Sequence, residues 1–315
     1  MNPILALSTA WCSARHHEGD AMLEEMAGLG FNYVELSHGI RITLVPGILK
    51  ALGQGVVKVS SVHNFCPLPA GVVHAAPNLF EPSVPATHGH EQEQWLRYSR
   101  RSLDFAAQVG ARVMVVHLGS VRFFWFNPAR QLRRFVRSHP DASPETDEGY
   151  RKVLSKAVAG VRKRQPRFWD QTRRSVDQLL PYAAEKGVLL GLENRERIEE
   201  LPADADFPDF LKSLSLPEQG GYWHDAGHAE LKERMGVITQ RRLLEENEGR
   251  TLGFHLHDVS DDGFDHQPIG KGRIDFKMVR QFWKPHHLLV LELNPLVKTE
   301  DVVESRKRIE DLMAG

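Results

Sequence analysis

Several acidic and histidine side chains occupy matching places in this sequence, at or near the end of a short apolar run. An unpaired carboxylate is costly to bury, so packing alone does not account for this pattern. Carboxylates and imidazoles that converge can bind a divalent cation, whose charge offsets the repulsion between the carboxylates. If the runs are strands whose ends meet, the pattern predicts a common rim that carries a metal site. The polar residues at the strand ends are Glu35, His63, His117, Glu193, Asp225, His255 and Glu292.

Eight apolar runs supply the predicted strands, and helix-patterned stretches separate them. The runs lack strict alternation, which is typical of parallel strands buried on both faces. Amphipathic spacing predicts helices at 20–29, 91–109, 168–186 and 299–313. The repeated order predicts an α/β fold, a (β/α)8 TIM barrel formed by residues 1–315 as one domain, whose strand ends converge on one rim. The predicted strands are 3–8, 32–36, 56–62, 112–117, 188–193, 220–225, 251–257 and 287–293.

Two connections are too long for simple loops, and both follow a strand, on the side where barrels carry their active sites. Residues 64–90 are rich in proline, alanine and histidine and have no helical or strand period, which predicts a lid-like loop. The sequence of residues 118–167 predicts a helical insertion. We interpret its basic side chains as a solvent-exposed helical face rather than a binding site for a polyanion. Those side chains are Arg130, Arg133, Arg134, Arg137, Arg151, Arg162, Lys163, Arg164 and Arg167.

The overall composition narrows the class of protein. Lys and Arg total 40 against 41 Asp and Glu, so the net charge of −1 gives no general attraction to nucleic acid or an anionic membrane. No apolar run approaches the length of a membrane span, and the start lacks the positive segment of a signal peptide. Two cysteines are too few for a disulfide framework, so we expect a cytoplasmic protein. The oligomeric state stays open, with a homo-oligomer among the options.

Each candidate residue also has an ordinary structural interpretation. Glu193 could cap the helix that follows it, and Glu292 could end a strand before a proline. His63 and His117 could each be a hydrogen-bonded core histidine. Taken together, the repeated placement at strand ends favours a shared site over four separate coincidences.

Neighbouring polar residues divide into those expected at the site and those expected away from it. We take His255 as the ligand of the seventh strand and expect His257 to point away, which leaves Asp258 for a structural or supporting role. His224 is one residue out of phase with the sixth-strand aspartate, so we expect it to face away from the site. For Glu35 we expect an ion pair, far from the metal.

Four sequence motifs carry a resemblance to a known family. They are "GLEN" at 191–194, "HDAGHA" at 224–229, "HLHDVSDDGFDHQPIGKGRIDF" at 255–276 and "LELNP" at 291–295. With them the chain resembles the xylose isomerase-like barrel superfamily (sugar phosphate isomerases and epimerases; AP endonuclease family 2). That superfamily includes sugar isomerases, ketose 3-epimerases, inosose dehydratases and endonuclease IV. The resemblance spans the chain except for the two insertions.

The isomerase and epimerase branch implies an enzyme with one divalent metal, Mn, Mg, Co or Zn, and a small sugar, cyclitol or related keto compound as substrate. The reaction would pass through a metal-stabilised enediolate. Two glutamates, Glu193 and Glu292, would act as the acid/base pair, and a dehydratase or lyase would share the first proton abstraction. The implied metal ligands are Glu193, Asp225, His255 and Glu292. The substrate-binding candidates are His228, His63, His117, Arg195, His266 and Arg273.

The endonuclease IV branch implies a different chemistry, a phosphodiesterase with up to three zinc ions and nucleic acid as its partner. Its extra ligands resemble His63, His117, His228 and His266, all of which are present. That branch has Asp-x-His after the seventh strand, whereas here Asp265 and His266 are adjacent. Near-zero net charge also counts against a DNA enzyme. In the sugar branch, Arg273 replaces an acidic residue. A non-catalytic binding barrel, with no metal at the rim, is the third reading.

Overall fold

A computed structural model of the chain describes residues 2–72, 78–84, 90–139 and 142–315. Eight parallel strands follow one another in sequence order and close into a barrel, with the last strand pairing with the first. The predicted (β/α)8 barrel is therefore confirmed. The strands are β1 Ile4–Ser8, β2 Tyr33–Leu36, β3 Lys58–His63, β4 Val113–Val116, β5 Leu189–Glu193, β6 Gly220–Asp225, β7 Thr251–Leu256 and β8 Leu288–Leu291.

Helices connect the strands and cover the outside of the barrel. Each of the four predicted helical stretches corresponds to a helix, with α1 and α3 ending one residue earlier than predicted. Helix α1 buries Met22, Leu23 and Met26. Among the described residues none of the helices combines the length and the apolar character needed to traverse a lipid bilayer. The helices are α1 Gly19–Gly28, α2 Val45–Gly53, α3 Glu91–Gln108, α4 Pro128–Ser138, α5 Glu148–Lys186, α6 Phe207–Ser213, α7 Ala226–Arg234, α8 Gln240–Asn247, α9 Phe276–Arg280 and α10 Thr299–Ala314.

The barrel interior is filled by one large side chain. Trp223 on β6 is fully buried in a cluster with small and branched residues of the other strands. Glycines on the flanking strands make room for it, since a Cβ at Gly253 would lie 2.5 Å from the Trp223 ring and one at Gly191 would lie 3.0 Å from it. The indole also contacts the His255 ring edge to face, with centroids 5.2 Å apart. Trp223 therefore forms the floor beneath the rim residues.

The basic insertion is helical, as its sequence predicts, but it does not end where the barrel helix begins. Helix α5 runs without a break from the insertion into the predicted helix at 168–186. Helix α4 packs on it through Leu132, which clusters with Tyr150 and Ala157. Gly187, with φ 67°, ends α5 in the left-handed conformation that glycine adopts readily.

The predicted lid, 64–90, falls partly on residues 73–77 and 85–89, which lie outside the described residues. Its described parts contain neither helix nor strand. Ser83 bonds to the backbone of Ser120, which joins this segment to the start of the insertion. Closure over the site stays a prediction.

Candidate active site

Four buried side chains at the carboxyl ends of neighbouring strands converge on one point. Glu193 ends β5, Asp225 ends β6, His255 lies at the end of β7, and Glu292 directly follows β8. One ligand atom from each lies within 4.8 Å of the others. The structure thus brings together the four residues that the sequence analysis assigned to a metal.

The environment of His255 shows that a positive charge belongs among these groups. Its Nδ1 lies 2.7 Å from Glu193 Oε1, 3.2 Å from Glu292 Oε2 and 3.8 Å from Asp225 Oδ2. Burial alone would lower the pKa of His255, but the surrounding carboxylates outweigh burial and raise that pKa well above its usual value. A proton or a cation must therefore separate Nδ1 from three carboxylates. Oxygen and imidazole donors in this arrangement fit a divalent cation.

Glu35 holds His255 from the other side, a role that the sequence analysis missed. It is fully buried at the end of β2, accepts a 2.8 Å hydrogen bond from Ser61 Oγ, and lies 3.2 Å from His255 Nε2. A carboxylate on the outer nitrogen of a ligand histidine fixes its tautomer and ring orientation. The expected ion pair exists, but Glu35 contacts the candidate ligand His255 rather than lying far from it. Its place at a strand end was the available signal.

Asp225 serves both as a helix cap and as a member of the cluster. Its Oδ1 accepts a 2.7 Å hydrogen bond from the His228 backbone N–H at the start of α7. Burial opposes its ionisation, but His228 and His257 outweigh burial and hold its pKa below the usual range. The Asn194 side chain fixes the Asp225 backbone through both its donor and its acceptor, at 3.0 and 2.7 Å.

Two histidines beside these ligands test the orientations expected from the sequence. His257 does not point away, because its Nε2 lies 3.1 Å from both Asp225 oxygens. The expectation was wrong because residues two apart in extended chain share a face. His257 directly follows β7 and faces the same side as His255. His224 does face away, as expected, and its Nδ1 lies 2.9 Å from the Tyr222 hydroxyl.

A second group of donors adjoins the first and shares Glu193 with it. His117 Nε2 lies 2.5 Å and His63 Nε2 lies 3.7 Å from Glu193 Oε2. The Nδ1 atoms contact other acceptors, the Asn64 carbonyl for His63 and Asn78 Oδ1 for His117, each at 2.9 Å. Burial, with the charge of a nearby arginine, lowers the pKa of His117 to about 3. Both Nε2 atoms thus face Glu193, an arrangement that is able to hold another cation.

A cavity of about 280 Å³ opens above these groups. Its walls include the predicted substrate-binding residues His63, His117, Arg195, His228 and His266, together with both candidate catalytic glutamates. They also include His38, a half-buried histidine after β2 that the sequence analysis did not select; its ring lies 5.1 Å from that of His63. Five of the six substrate-binding candidates thus line one cavity.

Arg195 and His228 supply polar groups of opposite character to this cavity. Arg195 is buried, with Nη1 3.1 Å from Glu193 Oε2 and Nε 3.3 Å from Glu200 Oε1. His228 Nδ1 lies 3.0 Å from the Asn194 carbonyl, which can only accept, and 3.3 Å from Arg195 Nη1, which can only donate. The shorter of the two contacts assigns the proton to Nδ1. Burial lowers the pKa of His228, so its ring is neutral at pH 7 and its Nε2 lone pair is available to a ligand.

The β7–α9 loop contains two predicted substrate-binding residues, His266 and Arg273, and only His266 lies at the cavity. His266 Nε2 lies 3.5 Å from Glu292 Oε2 and His266 Nδ1 lies 3.1 Å from Asp265 Oδ1, so His266 reaches the site. Arg273 does not line the cavity: it is exposed and pairs with Asp261 at 2.6 Å. Asp258 turns the loop here by accepting backbone N–H groups, a structural role that leaves Arg273 in solvent.

Comparison with known proteins agrees with this architecture. Residues 23–294 match the model of the xylose isomerase-like TIM barrel family. The chain belongs to this family. No curated protein has significant sequence similarity to it.

Solved structures of the same fold resemble the chain over its whole length. A D-tagatose 3-epimerase-like protein shares 16% identity with a TM-score of 0.62, covering 100% of this chain and 97% of that one. The 3-keto-D-glucoside 4-epimerase YcjR from E. coli shares 13% identity with a TM-score of 0.63, covering 98% and 99%. A D-psicose 3-epimerase shares 12% identity with a TM-score of 0.64, covering 100% of both chains. At these identities the likeness establishes the fold.

Proposed function

We propose that this member of the xylose isomerase-like family is a divalent-metal-dependent isomerase or epimerase of a sugar, cyclitol or related keto compound. The observation that carries the proposal is His255 Nδ1 facing Glu193, Asp225 and Glu292 at the base of a small polar cavity. The fold shared with sugar epimerases supports the same conclusion.

Glu193 and Glu292 would move the proton. They come from strands three apart around the barrel, so they reach a bound carbon from different directions. Burial opposes ionisation of both, but neighbouring histidines outweigh burial and hold each pKa well below its usual range, so each is an unprotonated carboxylate in the free protein. One would take the proton from the carbon beside the substrate carbonyl. The other, after taking a proton from solvent, would donate it to that carbon, and the first would release its proton to solvent.

Other residues of the cavity would hold the substrate during this transfer. His228 Nε2 would accept a hydrogen bond from a substrate hydroxyl, and the Arg195 guanidinium would lie near the oxygen that gains negative charge. A divalent cation bound by the four ligands supplies Lewis-acid polarisation of substrate oxygens. His63, His117 and His266 complete the polar walls.

Replacing Glu292 by glutamine tests the acid/base assignment. The change keeps the side-chain size and removes the proton acceptor, so kcat should fall by about 10²- to 10⁴-fold while the protein stays folded. Turnover and deuterium uptake from D2O would be measured on keto-sugars and inosose-like compounds. The matched control is Glu196→Gln, a glutamate on the same rim that pairs with Arg197. A fully active Glu292→Gln enzyme would refute the assignment.

A second candidate function is a zinc-dependent phosphodiesterase of the AP endonuclease type. The observation that favours it is the group formed by His63, His117 and Glu193, which is able to hold another cation. Metal analysis of the purified protein separates the two functions. One equivalent of Mn, Mg, Co or Zn supports the isomerase, whereas two or three equivalents of zinc support the phosphodiesterase. A dehydratase or lyase would be recognised by its product in the same substrate screen.

A further inference from the structure

Both ring nitrogens of His257 have a partner, and together these partners fix its tautomer. The backbone N–H of His266 donates to Nδ1 at 2.8 Å, so Nδ1 is an acceptor and carries no proton. In the neutral ring the proton must then lie on Nε2. Nε2 is 3.1 Å from each oxygen of Asp225, so its N–H donates to that carboxylate.

The surroundings hold the ring in this orientation. His257 is fully buried, and the His266 ring stacks on it with centroids 4.2 Å apart and planes 9° apart. His266 has a φ of 56°, the left-handed conformation in which its N–H reaches His257. On α7, a Cβ at Gly227 would lie 2.0 Å from His257 Cε1, so a residue without a side chain is needed there.

We propose that His257 is a positioning residue that orients the Asp225 carboxylate toward the metal, an inference that rests on the proposed metal-dependent function. Its Nε2–H and the His228 backbone N–H both donate to Asp225, which leaves the remaining lone pairs to face His255 and the glutamates. His257 is not itself a ligand, because neither nitrogen has a free lone pair. The donor group formed by His257, His266 and Glu292 is therefore not a separate metal site.

Two substitutions test the roles of the two ring nitrogens separately. In His257→Gln the amide nitrogen takes the place of Nε2 and keeps the donor to Asp225. In His257→Asn the amide oxygen takes the place of Nδ1, which keeps the acceptor for His266 but removes the donor. Loss of a partner that orients a ligand typically weakens metal binding by about 10- to 100-fold. We expect that loss in the asparagine variant and a change below about threefold in the glutamine variant.

The assay is competition for Mn²⁺ between the metal-free protein and a fluorescent chelator, with thermal unfolding of each metal-free variant as the folding check. Equal weakening in both variants, or unchanged binding in His257→Asn, overturns the inference. If the asparagine variant does not fold, Gly227→Ala takes its place: displacement of the ring should weaken Mn²⁺ binding, and unchanged binding would overturn the inference. A wild-type protein that binds no Mn²⁺, Mg²⁺, Co²⁺ or Zn²⁺ would instead defeat the proposed function itself.

Discussion

Metal binding at the four-residue cluster should displace one proton, and that proton would come from His255. Without metal the carboxylates around His255 raise its pKa well above the usual value, so the ring is protonated at pH 7. A ligand nitrogen must be unprotonated, so binding has to remove that proton. The other three ligands, Glu193, Asp225 and Glu292, have lowered pKa values and hold no proton to release.

The magnitude follows from this count of one proton. Below the pKa of His255 the dissociation constant should fall about tenfold for each unit rise in pH, which is about 1.4 kcal/mol of binding free energy per unit. Above that pKa the dependence should level off. If a second cation binds beside His63 and His117, it should release one further proton, because the pKa of His63 is raised by Glu193 despite burial whereas that of His117 is lowered.

Calorimetric titration of Mn²⁺ into the metal-free protein checks both numbers. Repeating the titration between pH 6 and 8, in buffers of different ionisation enthalpy, gives the protons released per metal. The expected plot of the logarithm of the dissociation constant against pH has a slope of −1. A flat plot with no proton release would show that His255 does not exchange a proton for the metal, and the account of the cluster would fail.

Two positions away from the ligands test the barrel itself. Burial lowers the pKa of His287 to about 4, so the folded protein favours the neutral ring. The contribution of His287 to the free energy of unfolding should be complete above about pH 6.5 and should fall by about 1.4 kcal/mol per pH unit below that. In urea unfolding at pH 7, 6 and 5, His287→Asn should remove this pH dependence of the free energy of unfolding. The control His286→Asn, at an exposed ring, should keep it. Gly253→Ala would drive a Cβ into Trp223 and should cost about 1–3 kcal/mol in urea unfolding. Gly249→Ala, with open space around it, should cost far less, and equal losses would contradict the packing argument.

The barrel and the convergence of the four candidate ligands were predictable because both depend on patterns local to each strand. An apolar run that ends in Glu, Asp or His can be recognised from its own sequence as a strand with a polar side chain at its end. Closure of the sheet then brings these ends together. Glu193 and Asp225 could therefore be selected without knowing which residues they contact. Strand limits were less certain: Glu292 was assigned inside the eighth strand but follows it, since β8 ends at Leu291.

The errors concern side chains whose role depends on a partner distant in the sequence. Glu35 contacts His255 from 220 residues away, and nothing near it in the sequence shows that pairing. Arg273 was assigned from its place in a motif, but its exposed ion pair is set by the fold of the loop. His257 differs, because it lies two residues after His255, a spacing that by itself predicts that both side chains face the same side.

Charge links the number of metals to the kind of substrate. When a bound metal has displaced the proton of His255, His63 and His266 keep theirs, because nearby carboxylates raise both pKa values. The six carboxylates around the cavity then exceed the three cationic side chains, Arg195, His63 and His266, by three. One divalent cation leaves a surplus of one negative charge, which suits a neutral polyol or keto-sugar better than a phosphate. Three cations would turn the surplus positive, which suits a phosphodiester. Metal stoichiometry should therefore predict substrate charge before any substrate is known. The six carboxylates are Glu35, Glu193, Glu200, Asp225, Asp265 and Glu292.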